Sequence, residues 1–177
     1  MIDIGLDIKS IAKISNPSEA IMKTLIVYST KYGSVEKVAM KLKEKLTGEV
    51  ETANVKSKPA IDKYDTVILG GSIYAGNIQK DMRRFIKDNL NALQQKRIGL
   101  FICAGTSKDE VAASYLEKCY PQELHNKALA KANLGYEYDL ERFSFIDRLI
   151  VRIVGVKKSG SVFYEQKIAE FAAAMNS

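Results

Sequence analysis

From Lys23 onward, short runs of apolar, often β-branched residues alternate with longer stretches in which apolar positions recur every three or four residues. The short runs are "TLIVYS" at 24–29, "EVETANV" at 49–55, "DTVILGG" at 65–71, "RIGLFICA" at 97–104 and "ALAKANL" at 128–134. Runs of this length predict strands, most of them covered on both faces, and the recurring positions predict amphipathic helices. "EVETANV" alternates only partly, which suits a strand with one wetter face. One helical stripe comprises Val35, Val38, Ala39, Leu42 and Leu46 and is stopped by Gly48; a second comprises Met82, Phe85, Ile86, Leu90 and Leu93. A third runs through Val111, Ala112, Tyr115, Leu116 and Cys119, and the last through Tyr164, Ile168, Phe171, Ala172 and Met175. Strands alternating with helices predict an α/β fold, here a doubly wound five-stranded parallel sheet with helices on both faces. Such sheets hold ligands beyond the carboxyl ends of their strands, where the strand order reverses. The candidate loops are therefore 29–35, 70–77 and 103–109.

Residues 1–21 contain "SNPSE" and little periodicity, and they end just before Met22. They read as an N-terminal extension, not necessarily native, ahead of one domain at 22–177; a short leading helix is the alternative. At 177 residues, 46% hydrophobic and 27% charged, the chain has ample material for a single core. No apolar run approaches the roughly 18 residues that a membrane-spanning helix needs, and no secretory pattern opens the sequence. A cytoplasmic setting is expected. Cys103 and Cys119 have no metal-ligand or CxxC spacing, so buried free thiols are expected and no metal site. A net charge of +6 and a pI near 9.2 suit nucleic acid, an anionic membrane or a merely basic surface. Basic residues without interleaved aromatics on a recognisable module argue against nucleic acid. The single histidine, His125, falls outside all three loops and is expected at the surface.

The first loop, "STKYGSV", leads into a helix, whose N-terminus favours phosphate through its free N–H groups and dipole. Ser29, Thr30 and Ser34 add hydroxyls, Gly33 allows close approach and Lys31 adds charge; an ordinary helix cap with Lys31 in solvent is the alternative. A dinucleotide GxGxxG and a GxxxxGK[ST] loop are both missing. Leu69, Gly70 and Gly71 end the third strand where a phosphate-accepting aspartate would stand. The second loop, "GGSIYAGN", lets the backbone wrap a flat ligand through Gly70, Gly71 and Gly76. Tyr74 gives it an aromatic face and Ile73 an apolar one. The third loop, "CAGTSKD", supplies the small residues Ala104 and Gly105 before a helix capped by Thr106 or Ser107.

Together the three loops resemble the flavodoxin superfamily, in which a first loop of the form [ST]-x-[ST]-G-x-[ST] wraps the phosphate of FMN. On this sequence the pattern falls on Thr30, Lys31, Tyr32, Gly33, Ser34 and Val35. Thr30 and Gly33 match; Tyr32 and Val35 stand where hydroxyls are expected, with Ser29 and Ser34 beside the gaps as substitutes. "GGSIYAGNIQKDMRRFI" followed by "FSFIDRLIVRIVG" is similar to a subgroup, the menaquinone-dependent protoporphyrinogen oxidases and their flavodoxin-domain relatives. The resemblance, carried in the second loop by Gly70, Ser72, Ile73 and Gly76, implies strand order 2-1-3-4-5 and FMN as cofactor. The implied contacts are the first loop from Ser29 to Val35, then Ser72, Ile73, Tyr74, Ala75 and Gly76, and finally Ala104, Gly105 and Thr106. It further implies an FMN-dependent oxidoreductase passing electrons from a hydrophobic substrate such as protoporphyrinogen IX to menaquinone. A flavodoxin-type electron carrier and an FMN-dependent NAD(P)H:quinone reductase are the alternatives. No catalytic acid–base pair is evident.

Residues 135–160 form an insertion between the last strand and last helix, on the edge of the sheet that holds the loops. On a wheel of about 100° per residue, Phe143, Phe145, Ile146, Leu149, Ile150, Ile153, Val154 and Val156 cover about half the circumference. Ser144, Arg148, Arg152 and Gly155 lie opposite. Residues 142–158 carry Arg142, Arg148, Arg152, Lys157 and Lys158 against Asp147 alone, five basic less one acidic, net +4. Glu137, Asp139 and Glu141 just upstream dilute that charge. A helix of this kind is expected to touch a membrane surface or a hydrophobic substrate such as a quinone, with Arg148 and Arg152 on propionates or lipid phosphates. Packing on the protein's own core, or on a second copy, are the alternatives.

Overall fold

The computed structural model describes residues 21–153 and 159–177. Five parallel strands form its central sheet: β1 (Lys23–Ser29), β2 (Glu49–Asn54), β3 (Thr66–Ser72), β4 (Arg97–Cys103) and β5 (Ala130–Asn133). Their order is β2-β1-β3-β4-β5, as the sequence resemblance implies. Among the described residues six helices accompany them: α1 (Ser34–Lys45), α2 (Lys80–Leu93), α3 (Asp109–Cys119), α4 (Gln122–Lys127), α5 (Phe145–Ile153) and α6 (Glu165–Asn176).

The period of two in the strands sorts their side chains between two cores. Leu25, Val27, Val67, Leu69, Leu100 and Ile102 pack with α2, α3 and α4 through Met82, Phe85, Ile86, Leu116 and Leu124. Ile26, Tyr28, Ile68 and Phe101 meet α1 and α6 through Val35, Val38, Leu42, Ile168, Phe171 and Met175. β1, β3 and β4 are thus buried on both faces, and β2, at the edge, is only partly covered. The strand order reverses between β1 and β3, which opens a crevice at their carboxyl ends.

Three details depart from the pattern read off the sequence. β5 is shorter than 128–134 because the short helix α4 precedes it and Ala128 caps that helix. The second run ends at Asn54, whose side chain caps a single 3-10 turn at Val55–Ser57. The insertion is not one helix: β6 (Gly135–Tyr138) and β7 (Gly160–Phe163) pair antiparallel, and α5 lies between them. Residues 1–20 of the expected extension at 1–21, and the positions of Val154, Gly155, Val156, Lys157 and Lys158, lie outside the described residues. Among the described residues no helix is long and apolar enough to cross a membrane.

Candidate functional site

The crevice is a cavity of about 270 Å³. The first loop lines it with Lys31, Tyr32 and Ser34, the second with Ser72, Ile73, Tyr74, Ala75 and Gly76, and the third with Ala104, Gly105 and Thr106. Two other hollows are larger, about 500 Å³ beside α3 and α6 and about 640 Å³ between residues 55–62 and α2. Both lie away from the carboxyl ends of β1 and β3, where the topology concentrates polar loop groups.

Four expected residues do not line the crevice. Ser29 is buried at the end of β1, and Gly33 forms the N-cap of α1 with φ 99°. Thr30 Oγ1 accepts the Gly33 N–H at 2.9 Å, bracing the turn. The Val35 side chain is fully buried with Val38, Ala39 and Leu42. It occupies a core position of α1, and an apolar residue is what that position requires. What the loop offers an anion is the helix end itself. The first backbone bond of α1 runs from Lys37 N–H to Gly33 C=O at 3.1 Å. Among the described residues the N–H groups of Ser34, Val35 and Glu36 have no acceptor, and Ser34, a residue 8% exposed, makes no side-chain hydrogen bond.

The second loop is a tight turn. Tyr74 and Asn77 exchange both backbone hydrogen bonds, at 2.9 and 3.1 Å, around Ala75 and Gly76, which both have positive φ. Gln79 Nε2 donates to Ser72 Oγ, and Gln79 Oε1 is buried on the cavity wall without a partner among the described residues. The third loop is held by a residue outside the sequence-derived set, Asn133 on β5. Its Oδ1 accepts from Ala104 N–H, and its Nδ2 donates to the carbonyls of Ala104 and Thr106, each at 3.0 Å. A buried amide that satisfies its bonds in this way fixes a loop that has no regular structure of its own. Tyr138 on β6 leans over the same loop: a Cβ on Gly105 would lie 1.8 Å from its hydroxyl, so a side chain there would have to displace the Tyr138 ring. Cys103, on the floor, is 4% exposed, and burial pushes its thiol up, so it stays protonated.

The insertion contributes the principal group that sequence reasoning missed. Asp147, 2% exposed, points inward from α5. Its carboxylate receives Lys31 Nζ at 2.6 Å and Ser144 Oγ at 2.8 Å, together with the hydroxyls of Tyr32 and Tyr74. Ser144 precedes the helix and accepts the Asp147 N–H at 3.2 Å, an arrangement of the capping-box type. Burial alone pushes the Asp147 carboxyl up; hydrogen bonds from Lys31, Tyr32, Tyr74 and Ser144 outweigh it and hold the group well below the usual carboxylate range. The hydrogen bond to Asp147 in turn raises the Lys31 ammonium and, with burial, the Tyr74 phenol. Lys31 sits 4.7 Å from the centre of the Tyr74 ring, and Tyr32 stacks on Phe143 at 4.3 Å. Lys31, expected to lend its charge to the phosphate loop, lines the crevice and is paired there with Asp147. Tyr74 keeps its ring on the crevice, but its hydroxyl is committed.

With Asp147 turned in, the apolar side of α5 must turn out. Phe145, Ile146, Leu149 and Ile153 lie about 100–160° around the helix from Asp147 and are 84, 68, 54 and 78% exposed. Among the described residues of the expected apolar set, Phe143 alone is buried, against Tyr32 and Tyr138; the side chain of Ile150 lies outside them, as do Val154 and Val156. Among the described residues these four do not pack into the core. Arg152 is exposed, while Arg148 is half-buried and donates to the Phe143 carbonyl at 3.4 Å. His125 lies on α4 and does not line the crevice.

No curated protein matches the chain by sequence. Among solved structures, a short-chain flavodoxin associated with a PDU bacterial microcompartment superposes with a TM-score of 0.55 at 18% identity, over 89% of this chain and 100% of that one. A flavodoxin variant from Fusobacterium nucleatum, solved with flavin mononucleotide bound, gives 0.48 at 15% identity over 86% and 94%. Rubredoxin oxygen:oxidoreductase from Desulfovibrio gigas gives 0.45 at 18% identity over 88% of this chain, which spans only 37% of that protein. Identities this low show likeness of fold alone, which the short-chain flavodoxin carries. A family model described as "Flavodoxin domain" matches residues 25–162. With its strand order, its crevice and that match across most of its length, the chain belongs to the flavodoxin domain family.

Proposed function

We propose that the protein is an FMN-dependent oxidoreductase that takes electrons from a hydrophobic substrate, protoporphyrinogen IX being the foremost candidate, and passes them to menaquinone at a membrane surface. The crevice suits FMN by its donor and acceptor set. The free amides of α1 and the Ser34 hydroxyl suit its phosphate. Among the described residues Gln79 Oε1 and Glu137 Oε2 are buried acceptors without donors, suited to the hydroxyls of its ribityl chain and the N–H of its ring. Ile73, Tyr74 and Tyr138 supply flat walls. Bound FMN supplies the electron-transfer chemistry. The chain's part is to orient the group: Asn133 fixes the third loop, the Tyr74–Asn77 turn fixes the second, and Tyr138 covers Gly105. Tyr32, Phe143 and Tyr138 exclude water from the insertion side.

One observation carries the choice of a lipid-soluble partner. The outward face of α5 displays Phe145, Ile146, Leu149 and Ile153 beside the mouth of the crevice, with Arg152 at its border. An apolar strip bordered by an arginine fits the interface of an anionic bilayer, from which a quinone dissolved in the hydrocarbon interior can be reached. Purified protein is expected to be yellow with FMN, to oxidise protoporphyrinogen with menaquinone faster than it oxidises NADPH, and to float with anionic vesicles. A colourless protein that ignores added FMN would refute the flavin reading. NADPH oxidation that outpaces the porphyrinogen reaction would shift the enzyme to a nicotinamide-dependent quinone reductase.

A further inference from the structure

The insertion changes which cation serves the phosphate loop. Lys31 follows Thr30 in that loop, yet its ammonium is drawn sideways, 2.6 Å from the Asp147 carboxylate and between the rings of Tyr32 and Tyr74 at 5.5 and 4.7 Å. A carboxylate as buried as Asp147 must keep a counter-charge, so Lys31 is not released to a second anion. The turn between β6 and α5, which brings Asp147 in, also brings Arg142. Its backbone N–H donates to the Asp139 carbonyl at 3.1 Å, and its Nη1 lies 4.0 Å from where a Cβ on Gly33 would stand. Gly33 is the N-cap of α1. A guanidinium therefore lies close to the helix end that carries the free amides and Ser34, a residue 8% exposed on the crevice wall whose hydroxyl makes no hydrogen bond among the described residues. Among the described residues Arg142 makes no ion pair. Planar and always charged, it is suited to bidentate contact with a phosphate.

We infer that Arg142, supplied by the insertion, is the cationic ligand of the cofactor's phosphate monoester and that Asp147 withdraws Lys31 from that role. The inference rests on the flavin reading above and deepens it: Arg142 sets the preference for a phosphorylated flavin over the same flavin without phosphate. Arg142 is exposed, so replacing it leaves the fold intact. Lys31 lends its charge to Asp147 instead, and any share it has in binding is indirect.

The test is equilibrium binding of FMN and of riboflavin to the apoprotein, followed by flavin fluorescence, with urea midpoints as controls. Arg142→Gln is expected to weaken FMN about tenfold, the worth of one charge-assisted contact, to leave riboflavin unchanged, and to flatten the salt dependence of FMN binding. Arg142→Lys should recover part of the loss. The double variant Lys31→Gln/Asp147→Asn, which removes the buried pair together, should keep the FMN-to-riboflavin ratio within about twofold, whereas Asp147→Asn alone frees Lys31 and should raise it. A ratio that falls as far in the double variant as in Arg142→Gln would overturn the assignment in favour of Lys31. Equal loss of both flavins in Arg142→Gln would overturn it in favour of a general packing role. If wild-type protein binds neither flavin, the flavin reading itself falls; if it binds FMN with an unchanged ratio in Arg142→Gln, only the role of Arg142 does.

Discussion

Helices α1 and α5 both carry apolar residues at helical spacing, and they use them in opposite directions. α1 buries Val35, Val38, Ala39 and Leu42 against the sheet and gives its charged residues to solvent. α5 buries a carboxylate and shows Phe145, Ile146, Leu149 and Ile153 to the outside. The physical difference lies in what waits on the inner side. Under α1 is an apolar sheet face; under α5 are an ammonium and two phenols, which reward Asp147 more than they would a leucine. Apolar periodicity marks the face that seeks company. It does not say that the company is the protein's own core.

The contrast can be broken at several points. Leu42→Ala, on the buried face of α1, is expected to cost about 2–5 kcal/mol in urea unfolding; a loss as small as that of a surface substitution would mean α1 does not pack as described. Asp147→Asn keeps the shape but removes the charge, and it should cost about 1–3 kcal/mol because Lys31 is left facing a neutral amide. No loss at all would show that the three loop residues hold α5 without it. The ionic part of that gap has a defined pH course. The folded-state value of Asp147 is depressed, so its stabilisation is fully present above the ordinary carboxylate range near pH 4 and disappears as pH falls through the lowered value. Wild type and Asp147→Asn should therefore stay apart at pH 5 and converge only in stronger acid; convergence already at pH 5 would contradict the depressed carboxyl. The smallest change in stability, within about 0.5 kcal/mol, is expected for Phe145→Ser combined with Leu149→Ser. The same pair should abolish flotation with anionic vesicles, and a pair of serines that destabilised the fold instead would place those side chains in a core.

The sheet was legible because its signals are local. Each strand carries its own apolar run and each helix its own stripe, so the order of elements follows from neighbours in sequence. Val35 shows how a motif can mislead: matched to a loop pattern it looks like a missing hydroxyl, yet its spacing to Val38, Ala39 and Leu42 already marks it as core. β6 and β7 escaped notice because each is four residues long and only partly covered. The Asp147 cluster escaped for another reason. "SFID" carries the signature of a helix cap, but Lys31, Tyr32 and Tyr74 lie far away in sequence, and no local pattern announces that they converge. Asn133 is similar, an amide in a short edge strand whose bonds to Ala104 and Thr106 only the folded chain reveals.

The pairing of β6 with β7 has a consequence of its own. Tyr138 stands opposite Gly160 in the antiparallel register, so the chain leaves for α5 and returns at neighbouring points. Everything between is a cassette on a two-stranded stem, able to lengthen, shorten or be exchanged while the sheet beneath keeps its register. A short turn grafted from Tyr138 to Gly160 would leave a bare hairpin beside the crevice, with Lys31, Tyr32 and Tyr74 freed from their carboxylate.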